Sequence, residues 1–444
     1  MGTDQTRIRE RARRNRKEKF TSLYHHVTDL ENLRASWKEI ERAAAPGIDG
    51  ITRDEYGQNL EENLRGLQER LKQMTYRPKP VKRVYIPKAG SKKKRPLGIP
   101  CVEDKIVQSA VARVLEQIYE ADFERSSYGY RPGRTQHQAL DELGRTIQQK
   151  KINWVAEADI KGFFDHVKIE WLERMLEERI GDPRMLRLIK RMLKAGVMED
   201  GLARASEEGV VQGSPLSALL SNIYLHYAMD LWFERRFRKQ CRGEVYYIRY
   251  ADDYLACFQT RREAEAFLRE MRERLEKFGL EVEESKTKLI QFGRYAEQNA
   301  EARGVKPEQF DFLGFTHYCG KTRYGAFKVK RKTSKKKYRA KLKEAKEWLR
   351  KERNRHKSGE LLKRAKLKLV GHLNYYAVTD NLPMCQDFSY QYTRIVFKWL
   401  NRRSQKRSYT WERFRDALNW VGWPQVKRRH HLDPFRKKPA LNDC

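Results

Sequence analysis

Cysteine is scarce in this chain: six in 444 residues, Cys101, Cys241, Cys257, Cys319, Cys385 and Cys444, with no CxxC pair. That pattern offers neither a disulfide framework nor a zinc knuckle, and it suits a reducing compartment. Long apolar runs are missing too. None approaches the roughly 18 residues of a membrane span, and no secretory h-region opens the chain. The Arg-rich start, "RIRERARRNRKEKF", is interrupted by acids at Glu10 and Glu18, with Asp4 just before it, which speaks for a basic arm over an organellar transit peptide. No 20- to 50-residue period repeats, which excludes a solenoid. Negative charge is also in short supply, 60 Asp+Glu against 95 Lys+Arg. The shortage is concentrated at the end, where residues 321–444 hold 36 Lys+Arg and 10 Asp+Glu, a net of +26. Self-repulsion of that size favours a polyanionic partner, and nucleic acid is the default.

What is present is enough to fold. At 39% hydrophobic and 11% aromatic the chain can bury two or three packed units. "ENLRASWKEIERAAAPGIDGI" reads as a helix closed by Pro46-Gly47. "RPKPVKRVYIPKAGSKKKRPLGIP" reads as two strands around a Gly-Ser-Lys loop. Ile106, Ala110, Val114 and Ile118 share one face of a helix, as do Phe267, Met271, Leu275 and Phe278 of another, which Gly279 stops. "NWVAEADIKGFF" reads as a strand running into a turn, "IEWLERMLEERI" as a helix behind it, and "QGSPLSALLSNIYLHYAMDLWFERRF" as a turn followed by a long buried helix. "FDFLGF" is one more short strand. After Lys321 the pattern becomes helical and basic, and the last fifty residues interleave aromatic and basic side chains, which suits bases and phosphates together.

The chemistry is carried by "EVYYIRYADDYLACF", a hairpin with Asp252 and Asp253 in its turn. Adjacent carboxylates repel and are costly to desolvate. Asp159 of "AEADIKGFFD" ends another strand, and if the two strands are neighbours the carboxylates converge. Such a group without a lysine or arginine alongside it calls for hard cations. Mg²⁺ takes carboxylate and water oxygens together with substrate phosphates, and a pair of ions suits in-line phosphoryl displacement.

These blocks resemble the group II intron-encoded reverse transcriptase/maturase family. The resemblance runs in order through "APGIDGIT", "RPLGIPCVEDKIVQ", "SYGYRPGRTQHQAL", "ADIKGFFDHV", "VVQGSPLSALLSNIYL", "YADDYLACF", "GLEVEESKTKLI", "FDFLGF" and "GHLNYYAV". It implies an α+β, helix-rich right-hand polymerase: a basic arm and N-terminal extension over 1–75, fingers over 76–145, a palm with an antiparallel sheet over 146–320, a helical thumb (the maturase domain X) over 321–391, and a small basic segment over 392–444 that would contact DNA, with no endonuclease domain. It implies RNA-directed DNA polymerase activity with two Mg²⁺ ions, for which Mn²⁺ can substitute. The implied partners are an RNA template, a DNA primer, dNTPs, group II intron RNA whose splicing it assists, and target DNA, with no membrane. The implied location is the bacterial cytoplasm, on the nucleoid, rather than an organelle. Oligomeric state stays open.

Carried over by residue, Asp159 and Asp252 would bridge metal, Asp253 would be an outer ligand, and the Ile160 carbonyl a further one. Phe164 would be the steric gate against a ribose 2′-OH, with Phe163 in the core. Arg83, Lys88 and Arg95 would cover the triphosphate, while Lys92, Lys93 and Lys94 form a solvated tip. Gln212 and Gly213 would contact the dNTP, the glycine letting backbone approach it, and Lys286 matches the palm lysine. Asp165 reads as a cap for the next helix, Glu157 as a weaker ligand candidate, and His166 as surface. Val211 and Ala218 stand where the family usually has proline. A polymerase-inactive or host-adopted RNA-binding maturase, and a reverse transcriptase repurposed for a role such as defence, remain alternatives.

Overall fold

The computed structural model describes residues 3–87, 94–199, 202–204, 212–403 and 409–435. Among them helix predominates over strand, and three sheets organise the chain. The first has the order β2-β1-β4-β5, formed by Val81–Pro87 (β1), Lys94–Ile99 (β2), Val197–Glu199 (β4) and Leu202–Arg204 (β5). The central one has the order β6-β7-β3-β8, formed by Trp154–Ala158 (β3), Val245–Tyr250 (β6), Asp253–Phe258 (β7) and Lys288–Gln291 (β8), all antiparallel. The third has the order β11-β10-β9, formed by Phe310–Phe312 (β9), Phe315–Lys321 (β10) and Phe327–Thr333 (β11).

The central sheet is covered on both faces, which is why its strands read as nearly continuous apolar runs. Ala156, Ala158, Tyr247, Tyr254, Ala256 and Phe258 point into one core, with the N-terminal helices and the long Val102–Asp122 helix. Val155, Ile248, Leu255, Cys257 and Ile290 point the other way, into a second core shared with the C-terminal helices. The period-two alternation thus assigns each side chain to one of two units.

The first core is tied to the chain's start by Asp182. Its carboxylate is almost fully buried, caps the Pro183–Leu193 helix through the Arg184 and Met185 N–H groups, and accepts from the Leu23 and Tyr24 N–H groups at 2.8 Å each. Burial alone would raise its pKa, but the four N–H donors outweigh it and hold the group below the usual range. The stability it gives is therefore present above the unfolded carboxylate pKa and lost as pH falls through the depressed folded value. Asp182→Ala orphans four donors and is expected to cost about 2–4 kcal/mol in urea unfolding, with the parent's advantage shrinking below about pH 4.

The structure differs from the sequence reading in several places. The helix read in "ENLRASWKEIERAAAPGIDGI" spans Leu30–Glu39 and ends there, because Ile40 is already extended, well before Pro46. The helix from Pro215 passes through two π-helical stretches, His226–Asp230 and Phe233–Phe237. "FDFLGF" is two strands, β9 and the start of β10, joined at Leu313 and Gly314, both at positive φ. Beyond Lys321 a strand, β11, precedes the helices and pairs along the whole of β10, so this hairpin straddles residue 320. The helices Lys335–Glu352, Ser358–Tyr376, Leu382–Leu400 and Trp411–Val421 then pack as one unit around Leu349, Leu369, Tyr392 and Phe414. The chain's last described stretch folds back on that unit. Arg429 N–H donates to Ala377 O at 2.8 Å, and His430 stacks on His137 at 3.7 Å.

Candidate active site

Asp159 is the residue immediately after β3. The β3–β7 register pairs Ala158 with Tyr254, and one step further along it brings Asp159 across from Asp253. On the other edge of β7, Tyr250 pairs with Asp253 and leaves only Ala251 and Asp252 in the turn. Asp252 is thus a turn residue, and Asp253 opens the strand. Three carboxylates therefore gather at one end of three adjacent strands. The electrostatics agree: desolvation, then the charges of Asp252 and Asp159, push Asp253 up to about 6, with Lys286 and Lys337 pulling the other way.

A basic side chain does stand alongside, contrary to the sequence reading. Lys286, on the Glu284–Lys286 turn, is ion-paired with Asp159. Past β3 the chain switches partners: Lys161 N–H donates to Glu281 O at 2.9 Å and Glu283 N–H to Asp159 O at 2.8 Å. Ile160 and Val282 are the non-hydrogen-bonded pair between those two bonds, so the Ile160 carbonyl points away from that segment. Glu157, on the same face as Asp159, is raised to about 7 by desolvation, against the pull of Lys288.

The turn is held from behind by a charge network that sequence reading missed. Arg249 and Asp230 are fully buried. Arg249 Nε and Nη2 donate to the Asp230 carboxylate at 2.8 and 2.6 Å, and Nη1 donates to Asn222 Oδ1 at 2.8 Å and to Ala251 O at 2.9 Å. Asn222 Nδ2 in turn donates to Gly129 O at 2.6 Å. Gly129 abuts the turn so closely that a Cβ there would come within 2.1 Å of Ala251 N. Ala251 itself sits at φ 57°, the left-handed region that alanine seldom takes. The only sequence cue was an arginine inside an otherwise apolar strand.

The remaining candidates distribute as follows. Arg95, Asp252 and Asp253 all lie near enough to Tyr130 to shift its hydroxyl, which desolvation raises. Tyr130 is half exposed and at φ 55°, a site residue overlooked in its block because no spacing rule marks it. Arg83 faces Glu199 at 3.9 Å across the first sheet. Lys88 lies outside the described residues, as do Lys92, Lys93 and Val211. Phe164, 9% exposed, sits beside Phe163 at the same core edge, with ring centroids 5.4 Å apart. Gly213, at φ 114°, leaves no room for a Cβ because Leu97 Cδ1 would be 2.7 Å away, and Gly98 N–H donates to Gln212 O at 2.8 Å. The close approach this glycine makes is to β2. Asp165 caps no helix, since the next one begins at Ile169 behind Lys168. His166 is exposed, with Nδ1 2.9 Å from Gly162 O and its ring near enough to Glu281 to act on that carboxylate.

All the donors gathered here are oxygens, the set a hard divalent cation takes, and the mutual repulsion at Asp253 marks negative charge that Lys286 offsets in part. Among the described residues no group of three or more His, Cys, Asp or Glu side chains forms a metal cage.

The C-terminal unit presents exposed aromatic rings beneath cations. Trp420 is 66% exposed with Lys363 Nζ 5.1 Å from its ring, and Tyr390 is 59% exposed under Arg394. No described helix is long and apolar enough to cross a membrane.

Comparison with known proteins shows the family. Residues 86–317 match the family described as reverse transcriptase (RNA-dependent DNA polymerase), which is just over half of the chain. The protein YkfC of Escherichia coli (strain K12) is 33% identical over 319 residues, 65% of this chain and 79% of YkfC. The group II intron-encoded protein LtrA of Lactococcus lactis subsp. cremoris is 39% identical over 220 residues, half of this chain but only 36% of LtrA. The nuclear intron maturase 1, mitochondrial, of Arabidopsis thaliana is 31% identical over 97 residues, 21% of this chain and 13% of that protein. The carboxylates at the end of the central sheet lie within the matched span, and the chain belongs to the reverse transcriptase family, with group II intron-encoded proteins among its relatives.

Proposed function

We propose that this protein is an RNA-directed DNA polymerase of the group II intron type, which lengthens a DNA primer along an RNA template and also holds intron RNA to assist splicing and mobility. The observation that carries the reading is the register that sets Asp159 against Asp253 beside the Ala251–Asp252 turn. In this reading the β1–β2 sheet belongs to the fingers, the central sheet is the palm, and the C-terminal helices are the thumb. Asp159, the Ile160 carbonyl and Asp252, with Asp253 behind them, would hold two divalent cations, Mg²⁺ with Mn²⁺ as a substitute, whose charge favours the primer 3′-oxygen as nucleophile and steadies the phosphates. That oxygen attacks the α-phosphorus and pyrophosphate leaves. Arg95 covers the triphosphate from β2, with Arg83 on β1 beside it and Lys88 as a third cation for the phosphates. The Phe164 ring blocks a 2′-hydroxyl, while the Gln212–Gly213 turn, fixed on β2, lies along the nucleotide. Lys286 steadies Asp159 until substrate arrives.

Primer extension on poly(rA)/oligo(dT) with Mg²⁺ is the direct test, and the expected result is DNA product. A parent protein that makes no DNA while still accelerating intron splicing would establish a binding-only maturase.

Acid should raise the metal requirement. Asp253 holds its proton up to about pH 6, so protons compete with cation below that value and not above it. The Mg²⁺ concentration for half-maximal extension is expected to climb by up to about tenfold per pH unit below 6 and to level off above 7. A Mg²⁺ titration at pH 5.5, 6.5 and 7.5 measures it.

A further inference from the structure

Gly371 stands in the interior of the Ser358–Tyr376 helix, where glycine costs stability relative to alanine. No neighbour in the protein demands it, since a Cβ there would meet nothing within 4 Å. What Gly371 borders is a cavity of about 400 Å³ between this helix and the helices Lys335–Glu352 and Leu382–Leu400. The volume is in the range of ligand sites, and the lining is largely aromatic. Trp348 forms one wall with Lys368 Nζ 4.9 Å from its ring. His372 stacks on Phe388 with centroids 3.5 Å apart, and its Nε2 is buried without a hydrogen-bond partner. Burial lowers His372 to about 3, so the imidazole is a neutral flat surface at physiological pH. Lys341 also lines the cavity, but its charge is shared with Glu344 at 2.7 Å. Glu344, also in the lining, offsets Lys341, so Lys368 is the main cation over a largely aromatic slot, in a region that nets +26.

A neutral stacking slot beneath an ammonium group is the arrangement that receives a base whose neighbouring phosphates stay outside. We infer that this cavity takes one unpaired nucleobase of a bound RNA, stacked on Trp348, with a flanking phosphate on Lys368 and the backbone passing over Gly371. The inference rests on the RNA-binding part of the proposed function and not on its polymerase chemistry.

The probe is an RNA hairpin with a single bulged 2-aminopurine, compared with the same hairpin carrying that base paired, added to the full-length protein. The parent is expected to change the fluorescence of the bulged base and not of the paired one. Gly371→Leu puts a side chain into the mouth while improving helix propensity. It is expected to raise Tm by about 2 °C, to abolish the fluorescence change and to weaken hairpin binding about tenfold. Lys368→Gln, at an exposed position, is expected to reduce the slope of log affinity against log salt by about one phosphate contact. A Gly371→Leu protein that gains stability but binds and reports like the parent overturns the inference, as does an unchanged salt slope in Lys368→Gln. Competition by an unrelated apolar peptide, with no effect from unlabelled bulged RNA, would assign the cavity to protein and also overturn it. Primer extension run in parallel keeps the two readings apart, because its loss in the parent would sink the polymerase alone.

Discussion

Asp252→Asn is expected to end primer extension and at the same time to make the metal-free protein more stable. The two effects share one cause. Burial first, and then repulsion among the carboxylates gathered at the end of β3 and β7, raises Asp253 to about 6. An acid whose folded pKa lies above its unfolded value lowers stability once pH exceeds the unfolded pKa, so at pH 7 the site works against the fold. Asparagine keeps the size and hydrogen-bonding capacity of the side chain and removes one of the charges. The Asp253 pKa then falls by the part that Asp252 contributes, burial and Asp159 keeping the rest, and Tm in EDTA should rise by about 1 °C. The same charge is what a divalent cation and the triphosphate need, so extension should fall by about 10³-fold or more. Thermal unfolding in EDTA and in Mg²⁺, beside a primer-extension time course, reads both. The parent should gain more Tm from Mg²⁺ than the variant does. Equal gains would show that the carboxylates hold no shared ion, and retained extension would remove Asp252 from the chemistry.

What was legible in the sequence is what depends on local pattern. The strand ending at Asp159, the hairpin around Asp252 and the Val102–Asp122 helix follow from apolar periodicity and turn residues, and the ordered blocks gave the family. β11 was misread because its inward face carries Val329, Arg331 and Thr333, all buried. An arginine at an inward position disguises a period of two. It is tolerated only because its guanidinium donates to Leu140 O and Leu432 O, far away in the chain. The return of the C-terminal stretch onto His137 and β11 was invisible for the same reason: the contacts join residues separated by hundreds of positions. Lys286 matched a family position, but its pairing with Asp159 depends on the chain changing partners after β3, which no spacing announces. Buried charge is where local reading failed at Arg331 and Arg249, because a charged residue is assigned to the surface unless its partner is known.

Arg249 is the sharpest instance and supports the second large prediction. Arg249→Met leaves Asp230 buried without a counter-charge, and the cost should be about 3–5 kcal/mol. That alone would not separate a structural role from a positioning one. The double replacement Arg249→Met with Asp230→Leu does, since replacing a buried ion pair by apolar residues of similar volume is often neutral for stability. In that protein the fold should return to near the parent's urea midpoint, yet Ala251 O and Asn222 Oδ1 still lack the donor that fixed them. Alanine at φ 57° is a strained choice for a turn, and it persists where the surroundings over-determine it. Here those surroundings are Arg249 from below and the Gly129 backbone pressed against Ala251 N. Without the guanidinium the turn is free to relax, and Asp252 moves with it relative to Asp159. A displacement of about 1 Å at reacting groups is enough for roughly 10²-fold in rate. Steady-state extension by the double variant should therefore show kcat lowered by about 10²-fold, with the dNTP KM within a few fold of the parent. If activity returns together with stability, Arg249 does nothing for the turn that packing alone could not do.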